Sequence, residues 1–434
     1  MARTKLPLYL LALSALAAAA QPPSLTGRWA VSADVYGTPR YFGLQLDQQG
    51  EKLTGELAGS KLEGTAKGSA IHFIARDAQG YTNEVTGTID NGVIHATVVG
   101  TDPESPAHPS SVRITATLAP ALTHAAPRRH EFTPTVFHRQ FSALNKPVLT
   151  LAPGDTIHTT TVDAGGVDFQ NIKRSAGGNP QTGPFYVTGA MPGDTLVVHI
   201  KKLTLNRDWA ESDDGLVERA LDSELAVKTK DLGKTIRWHL DRTAGTATPV
   251  KPSEHLKHYT IPLRPMLGCI AAAPNIGQAA PSTGDSGGYG GNMDFNEITE
   301  GATVYLRVSN PGALLYFGDA HAAQGDGELN GNALETSMDV ELIVDVIPNK
   351  RIGGPRIETA TEIIAMGLGG SLDEAFKGAT SGMATWLEED YKLTPSEIAQ
   401  VLGTAAEYHV SEAADRNAGM VLKISKARLA TLTE

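Results

Sequence analysis

The stretch Gly183–Leu203, GPFYVTGAMPGDTLVVHIKKL, sets the fold class of the larger part of this chain. Two runs rich in β-branched and aromatic residues flank a Pro-Gly-Asp turn at 192–194, and polar and apolar residues alternate along the second run. A period of two on either side of such a turn is typical of neighbouring β-strands. The stretch therefore predicts two strands joined by a turn.

The same pattern recurs on both sides of this stretch. KPVLTLAPGDTIHTT (146–160) has the same pattern around an earlier Pro-Gly-Asp turn at 153–155, which is the first of the two in the chain. GATVYLRVSN and ALETSMDVELIVDVI continue the extended character. A helical pattern is found only near the end. Ser371 with Glu374 forms a capping box before one helix, and TPSEIAQVLGTAAEYHVSEA, from Thr394, repeats the start signal. The sequence thus predicts a mainly β domain over residues 136–434 with C-terminal helices.

The amino-terminal third has a different texture. Short strands with glycine turns follow one another over residues 24–119, which predicts a small all-β accessory domain, an antiparallel barrel or sandwich. Residues 120–135, with three prolines and two adjacent arginines, are expected to be a linker. Residues 1–20 combine basic residues, an apolar run and an Ala-x-Ala end near Ala20. They predict a cleavable signal peptide and a periplasmic or secreted protein.

Composition narrows the function classes. The 434 residues carry a formal net charge of −11 at pH 7. A basic face is needed to neutralise phosphates, so no nucleic-acid partner is expected, and nothing favours adhesion to an anionic membrane. Cys269 is the only cysteine, which excludes an intramolecular disulfide, and its apolar surroundings indicate a buried strand rather than a nucleophile.

One short segment concentrates groups that can bind metal. YFGDAHAAQGDGELNG, residues 316–331, contains Asp319, His321, Asp326 and Glu328. Because the first half is extended, Asp319 and His321 should point to the same side, and the following turn should bring the other two close. A mixed imidazole and carboxylate set suits Zn²⁺, Mn²⁺ or Fe²⁺ better than Ca²⁺. The alternative is a solvated acidic loop.

A glycine-rich segment, residues 274–297, is the second candidate. It is followed by strands and not by a helix, so it is expected to line a pocket and not to bind phosphate. Asn292 and Asp294 stand at its end, and the pattern leaves open whether Asp294 is a metal ligand or a substrate contact. No Gly-x-Ser-x-Gly elbow occurs in a strand-to-helix setting. Water activated by a cation, with a carboxylate as the base, is the simplest chemistry that remains.

Four segments closely resemble the acetamidase/formamidase family. In chain order they are NPQTGPFYVTGAMPGDTLVVHI, LGCIAAAP, GGYGGNMDFNEI and GALLYFGDAHAAQGDGELNGNALET. The last is the most specific, and the likeness runs from about Val136 to Ile424. It implies a β-rich fold, hydrolysis of short linear amides such as formamide or acetamide to a carboxylate and ammonia, a bound divalent metal and a homo-oligomer.

The resemblance implies roles for individual residues of this chain, which are matched to the family's motifs by position. The expected metal ligands are Asp163, Asp319 and His321; the expected catalytic residues are Glu335, Asp326 and Glu328, with Glu335 alternatively a further ligand. The expected substrate contacts are Thr182, Gly183, Asn292 and Asp294. The expected metal is Zn²⁺, with Mn²⁺, Fe²⁺ or Ca²⁺ as alternatives.

The chain departs from the family pattern at three points. Asn179 stands where a histidine is expected, and the signal peptide and the amino-terminal β domain are additions. These departures suggest a substrate larger than formamide. They also keep two other hypotheses open: a non-catalytic exported protein that binds metal or ligand on the same fold, and a hydrolase of a lactam or ester bond.

Overall fold

The computed structural model describes residues 24–122, 126–275 and 280–432. The predicted signal peptide lies outside these ranges. The structure is 46% strand and 13% helix, which confirms the mainly β prediction. Among the described residues, no helix has both the length and the apolar character needed to cross a membrane.

Eight antiparallel strands near the amino terminus form a closed barrel. Each strand pairs with the next, and β1 pairs with β8 to close the ring. Leu46, Phe73 and Val85 are fully buried, so side chains fill the interior. The strands are β1 (Gly27–Val35), β2 (Thr38–Gln49), β3 (Lys52–Leu57), β4 (Ser60–Lys67), β5 (Ala70–Arg76), β6 (Thr82–Asp90), β7 (Val93–Thr101) and β8 (Ser110–Leu118).

The larger unit is built from two sheets. In the described residues its strands are β9 (Arg129–Glu131), β10 (Phe137–His138), β11 (Leu149–Leu151), β12 (Thr156–Thr160), β13 (Gln181–Val187), β14 (Thr195–Leu205), β15 (Trp209–Asp213), β16 (Thr235–Asp241), β17 (Thr246–Pro249), β18 (Ile261–Pro262), β19 (Met266–Ala272), β20 (Ser286–Gly287), β21 (Gly290–Asn292), β22 (Thr303–Arg307), β23 (Leu315–His321), β24 (Glu335–Thr336), β25 (Met338–Ile347), β26 (Arg356–Glu358), β27 (Glu362–Gly369), β28 (Glu407–Glu412) and β29 (Ala418–Ser425).

The first sheet has the order β18-β17-β16-β15-β24-β23-β19-β21-β20, with β13 beside β23 and β10 and β11 beside β13. The second has the order β28-β29-β27-β26-β22-β14-β25-β12-β9. Val198 and Val340 of the second sheet lie in one buried cluster with Ile270 and Phe317 of the first. Alternate residues of β14 and β25 therefore supply the core between the sheets.

Four helices are present in the described residues: α1 (Ser223–Thr229), α2 (Leu372–Tyr391), α3 (Pro395–Ala405) and α4 (Lys426–Leu429). Short 3₁₀ turns occupy Glu218–Ala220, Glu254–Leu256 and Asp326–Glu328. Ser371 caps α2 by accepting a hydrogen bond from the Glu374 backbone at 3.2 Å, and a full capping box starts α3. Met383 and Trp386 of α2 pack on the outer face of β27 and β29.

The end of the second predicted helical stretch differs from the prediction. The helix stops at Ala405, and the residues that follow form β28, which pairs with β29. Pairing with an existing sheet edge supplies hydrogen bonds that local propensity does not reveal. This strand carries Glu412 toward the site described below.

The barrel docks on the larger unit through the second Pro-Gly-Asp turn. Arg28 of β1 forms an ion pair with Asp194, whose side chain is 1% exposed. Arg351 of the larger unit donates to the carbonyl oxygen of Ala58 between β3 and β4. Asp194 also accepts hydrogen bonds from the backbone of Met191 and Asn349, so the turn is rigid where the barrel meets it.

Candidate active site

Neighbouring strands of the first sheet bring His321 and Glu335 together. They are directly opposite each other in the antiparallel pair β23–β24, so their side chains leave the same face. His321 Nε2 lies 3.2 Å from Glu335 Oε1 and 3.5 Å from Asp319 Oδ1. All three residues are buried, and their ligand atoms lie within 4.8 Å of one another. Asp319 and His321 point to one side, as predicted.

Asp294 and Glu328 complete a second group around the same imidazole. Asp294 Oδ1 lies 4.0 Å from His321 Nε2, and the ligand atoms of Asp294, His321 and Glu328 also lie within 4.8 Å of one another. Asp294, Asp319 and Glu328 have positive φ values of 39°, 56° and 47°. Such left-handed backbone is uncommon for residues with a side chain and concentrates at functional sites.

Gly268 on β19 makes room for the carboxylates. A Cβ atom at this position would lie 2.3 Å from Asp294 Oδ1 and 2.7 Å from Asp319 Oδ2. Only a glycine allows both carboxylates to approach the strand this closely. The apolar run predicted as a buried strand therefore also has a role in shaping the site.

Two asparagines connect the carboxylates. The Asn179 side chain donates to Asp319 Oδ2 at 3.1 Å and to Asn292 Oδ1 at 2.5 Å. Asn292 in turn donates to Asp294 and, at 2.7 Å, to Asp415. The residue that departs from the family pattern is thus part of the network, where it orients Asp319.

Gln324 fixes the imidazole. It accepts a hydrogen bond at its Oε1 from His321 Nδ1 at 2.8 Å, and its Nε2 donates to the Asp294 carbonyl oxygen at 2.5 Å. With Nδ1 as the donor, a neutral His321 presents its lone pair at Nε2, toward the carboxylates. Metal-binding histidines are held in the same way, by a partner on the other ring nitrogen.

Burial governs the protonation of the cluster. It raises the pKa of Asp294 and of Glu328 well above the usual carboxyl range, and neighbouring carboxylates add to the shift. Burial raises the pKa of Glu335 to about 7, although His321 opposes this. Burial lowers the pKa of His321, but Glu335 and Asp319 outweigh it and raise that pKa well above its usual range. Without a cation, the cluster therefore retains protons at neutral pH.

The donor set fits a divalent metal. His321 Nε2 and Asp294 Oδ1 are buried and have no hydrogen-bond partner among the described residues. An unpartnered imidazole nitrogen facing several carboxylate oxygens matches the ligand preferences of Zn²⁺, Mn²⁺ or Fe²⁺. Asp294, Asp319, His321 and Glu335 or Glu328 are the residues that would hold it.

Asp163, which the resemblance predicted as a metal ligand, lies near this cluster. Asp163 lines the same cavity as Glu335, but its two oxygens accept from Arg207 Nη2 and from the Val167 backbone, each at 2.8 Å. These hydrogen bonds leave lone pairs free on both oxygens, but Asp163 belongs to none of the groups of described residues whose ligand atoms lie within 4.8 Å of one another. Arg207 also donates to the Glu335 carbonyl oxygen at 3.2 Å, so it connects the two acids.

Asp326, Thr182 and Gly183 are not brought into the cluster. The half-exposed Asp326 side chain accepts from His409 Nδ1 at 2.9 Å and from Asn296 at 2.8 Å. The preceding glycine and the 3₁₀ turn direct Asp326 outward and Glu328 inward. Thr182 and Gly183 lie within β13, beside β23, and do not line the cavity.

Glu412 and Asp415 were missed by sequence reasoning. With Asp294 they form a third group whose ligand atoms lie within 4.8 Å of one another. Burial raises the pKa of Asp415 to about 7, and Glu412 adds to that shift. The stretch VSEAAD continues an apparent helix in the sequence, and no local pattern marks its two acids as site residues. Only the pairing of β28 brings them here.

Comparisons with known proteins agree with this architecture. A model of the acetamidase/formamidase family matches residues 272–360, which include most of the cluster. A solved acetamidase from Yersinia enterocolitica superposes with a TM-score of 0.62 at 26% identity, over 71% of this chain and 96% of that one. An acetamidase from Bacillus halodurans gives a TM-score of 0.56 at 27% identity, over 70% of this chain and all of that one.

Sequence similarity to curated proteins is confined to a short segment. The acetamidase of Mycolicibacterium smegmatis is 41% identical over 59 residues, which is 13% of this chain and 14% of that protein. The matched segments span only 14 to 15% of the length of the curated relatives. The fold match covers about 70% of the chain. The family model, the solved acetamidases and the curated relatives thus all show that this chain is similar to the acetamidase/formamidase family.

Proposed function

We propose that this chain is an exported, metal-dependent amidohydrolase that cleaves the C–N bond of linear amides and releases a carboxylate and ammonia. The observation that carries the proposal is the unpartnered His321 Nε2, buried among Asp294, Asp319 and Glu335. Similarity to the acetamidase/formamidase family supports amide hydrolysis. The sequence of residues 1–20 supports export, and the family resemblance supports a homo-oligomer, which light scattering would measure.

The residues of the site have separate roles in this reaction. A divalent cation held by Asp319, His321 and Asp294 would supply Lewis acidity to the amide carbonyl and to a water molecule. Glu335, with its pKa raised to about 7, is suited to take a proton from the attacking water and give it to the leaving nitrogen. Gln324 holds the His321 tautomer, and Asn179 orients Asp319.

Ammonia release tests this proposal. The mature protein is assayed with formamide and acetamide before and after treatment with a chelator, and then with one added metal at a time. We expect activity that is lost with chelator and restored by Zn²⁺, Mn²⁺ or Fe²⁺. Bound metal without turnover of any amide would favour a ligand-binding protein, and turnover without metal would overturn the metal dependence.

Two histidine variants make the test specific. His321→Asn removes the unpartnered nitrogen and should lower kcat/KM by at least about 100-fold and release the metal. His409→Asn is the matched control, because His409 contacts Asp326 at the surface. It should retain metal content and activity. Equal metal content and equal kcat/KM in the two variants would contradict the assignment of the site.

A further inference from the structure

The cavity above the cluster is much larger than a formamide or acetamide molecule. It has a volume of about 560 Å³ and opens to solvent. Acetamide has four non-hydrogen atoms and fills roughly the space of three waters at about 30 Å³ each. Cavities of about 300–1,000 Å³ are typical of sites that enclose drug-sized molecules. The space beyond the reacting amide is therefore enough for an acyl group of several atoms.

The wall of this extra space is polar. Six side chains line this part of the cavity, and we refer to them together as the outer wall: Lys173, Glu211, Asp213, Thr235, Ser282 and Asn332. The largest hydrophobic side chain that lines the cavity is Val167, accompanied by Ala164 and several glycines. An alkyl chain bound here would find little apolar surface and would leave these polar groups without water. That desolvation is unfavourable unless the ligand forms hydrogen bonds in return.

Contacts within the outer wall hold its polar groups in place. Asp213 accepts a hydrogen bond from Asn332 at 2.6 Å and faces Thr235 across the pair β15–β16. Glu211 forms an ion pair with Arg237 at 2.7 Å, and it is paired with Glu335 in the adjacent strand. The sheet that positions Glu335 thus continues directly into the outer wall. Both donors and acceptors are present along it.

We propose that the substrate is a linear amide whose acyl chain is several atoms long and carries hydroxyl or amino groups. The reacting amide lies at the carboxylate cluster, and the polar acyl chain forms hydrogen bonds with the outer wall. This inference rests on the proposed amidohydrolase function and adds the class of substrate. A site that hydrogen-bonds a substrate group discriminates strongly against an analogue that lacks it.

The test compares amides of equal chain length. Gluconamide and lysinamide, which are hydrophilic, are assayed for ammonia release beside hexanamide, with acetamide as the reference. We expect kcat/KM for at least one hydrophilic amide to exceed that for hexanamide by about tenfold or more. Hydrolysis of acetamide with hexanamide equal to or better than both hydrophilic amides would overturn this inference alone. Release from none of the four would overturn the amidohydrolase function as well.

A variant of the outer wall provides a second readout. Thr235 is exposed on β16, where a large side chain can be accommodated without disturbing the core. Thr235→Trp should occupy the outer part of the cavity and lower the ratio of kcat/KM for the hydrophilic amide to that for acetamide by about tenfold. His239→Trp, at an exposed position of the same strand that does not line the cavity, is the matched control and should change the ratio less than about twofold. An unchanged ratio in Thr235→Trp would contradict the assignment.

Discussion

At the scale of single residues, the site depends on how closely two carboxylates approach the backbone of β19. Asp294 and Asp319 lie against Gly268, where a Cβ atom would be 2.3 Å and 2.7 Å from their oxygens. Both carboxylates are also held by asparagine donors, so neither can move without breaking a buried hydrogen bond. The site is therefore sensitive to a single added methyl group.

Gly268→Ala should disable the site while leaving the fold in place. Because φ of Gly268 is not positive, the backbone accepts alanine, and the cost falls on the two carboxylates. Overpacking of this kind costs about 1–3 kcal/mol of stability. We expect a large loss of ammonia release and of bound metal, measured together with circular dichroism. Gly353→Ala, with no atom within 4 Å of the new Cβ, is the control. Normal metal content in Gly268→Ala would contradict the expectation.

At the scale of elements, the first Pro-Gly-Asp turn is stabilised through its aspartate. Asp155 is 1% exposed and accepts hydrogen bonds from the backbone of Ala152 at 2.9 Å and Arg128 at 2.8 Å, and from His130 at 2.8 Å. Burial alone would raise the pKa of Asp155, but these partners outweigh it and lower the pKa below its usual value. The turn is thus more stable when Asp155 is charged.

The sign of the pH dependence follows from this lowered pKa. The stabilisation by Asp155 is complete above the unfolded-state pKa of about 3.9 and is lost as the pH falls through the lower, folded-state value. Asp155→Asn should lower the free energy of unfolding by about 1–3 kcal/mol at pH 7. The difference in the free energy of unfolding between the unchanged protein and Asp155→Asn should become smaller below about pH 3.9. Urea unfolding at several pH values measures it, and a gap that widens in acid would contradict the argument.

The loop after β28 is held by an element from a distant part of the chain. Arg219, in the 3₁₀ turn Glu218–Ala220, donates to the carbonyl oxygens of Ala413, Asp415 and Arg416 at 3.0, 2.9 and 3.1 Å. These three hydrogen bonds from the guanidinium group fix the backbone that carries Asp415 into the site. Arg219 is therefore a positioning residue and does not itself contact the cluster.

Removal of the Arg219 guanidinium group should weaken metal binding at the site more than it destabilises the fold. Arg219→Met should lower metal affinity by about tenfold or more, because Asp415 accepts from Asn292, which also holds the ligand Asp294. Arg219→Lys should rescue only part of it, because an ammonium group cannot reproduce the planar fork. Metal titration followed by kcat and KM measurements distinguishes this from simple destabilisation. A change in Tm with unchanged metal affinity would show that the role of Arg219 is only structural.

At the scale of the whole molecule, the polar contacts between two units of different design include two arginine side chains. The barrel has its own filled core, distinct from the core between the two sheets. Arg28 and Arg351 connect the two units at Asp194 and Ala58. Polar contacts of this type are typical of interfaces between domains that can move relative to each other.

Arg28→Ala should loosen the barrel without unfolding it. Asp194 keeps its backbone donors at 2.8 and 2.9 Å, so the turn survives, but the ion pair between the units is lost. We expect faster limited proteolysis between residues 118 and 129. Arg76→Ala, at an exposed position on β5, is the control. Equal rates of cleavage for both variants would show that the ion pair does not hold the barrel.

The sequence by itself determined the features that depend on local order. Period-two alternation and turn residues predicted the β-rich class and the strands around both Pro-Gly-Asp turns, and capping residues predicted the starts of α2 and α3. The pair Asp319 and His321 could be placed on one side of a strand because that relation spans only three residues. Glu335 was assigned through the resemblance to the acetamidase/formamidase family.

Only the tertiary structure decided which distant residues complete the site. Asn179, Gly268, Glu412 and Asp415 come from separate strands and loops, and they meet because β19, β23 and β28 are positioned by sheet pairing and core packing. Local patterns carry no information on such pairing, since β28 resembles a continued helix until its partner strand is known. Asp326 shows the converse: its place in the motif favoured catalysis, but a 3₁₀ turn points it outward to His409.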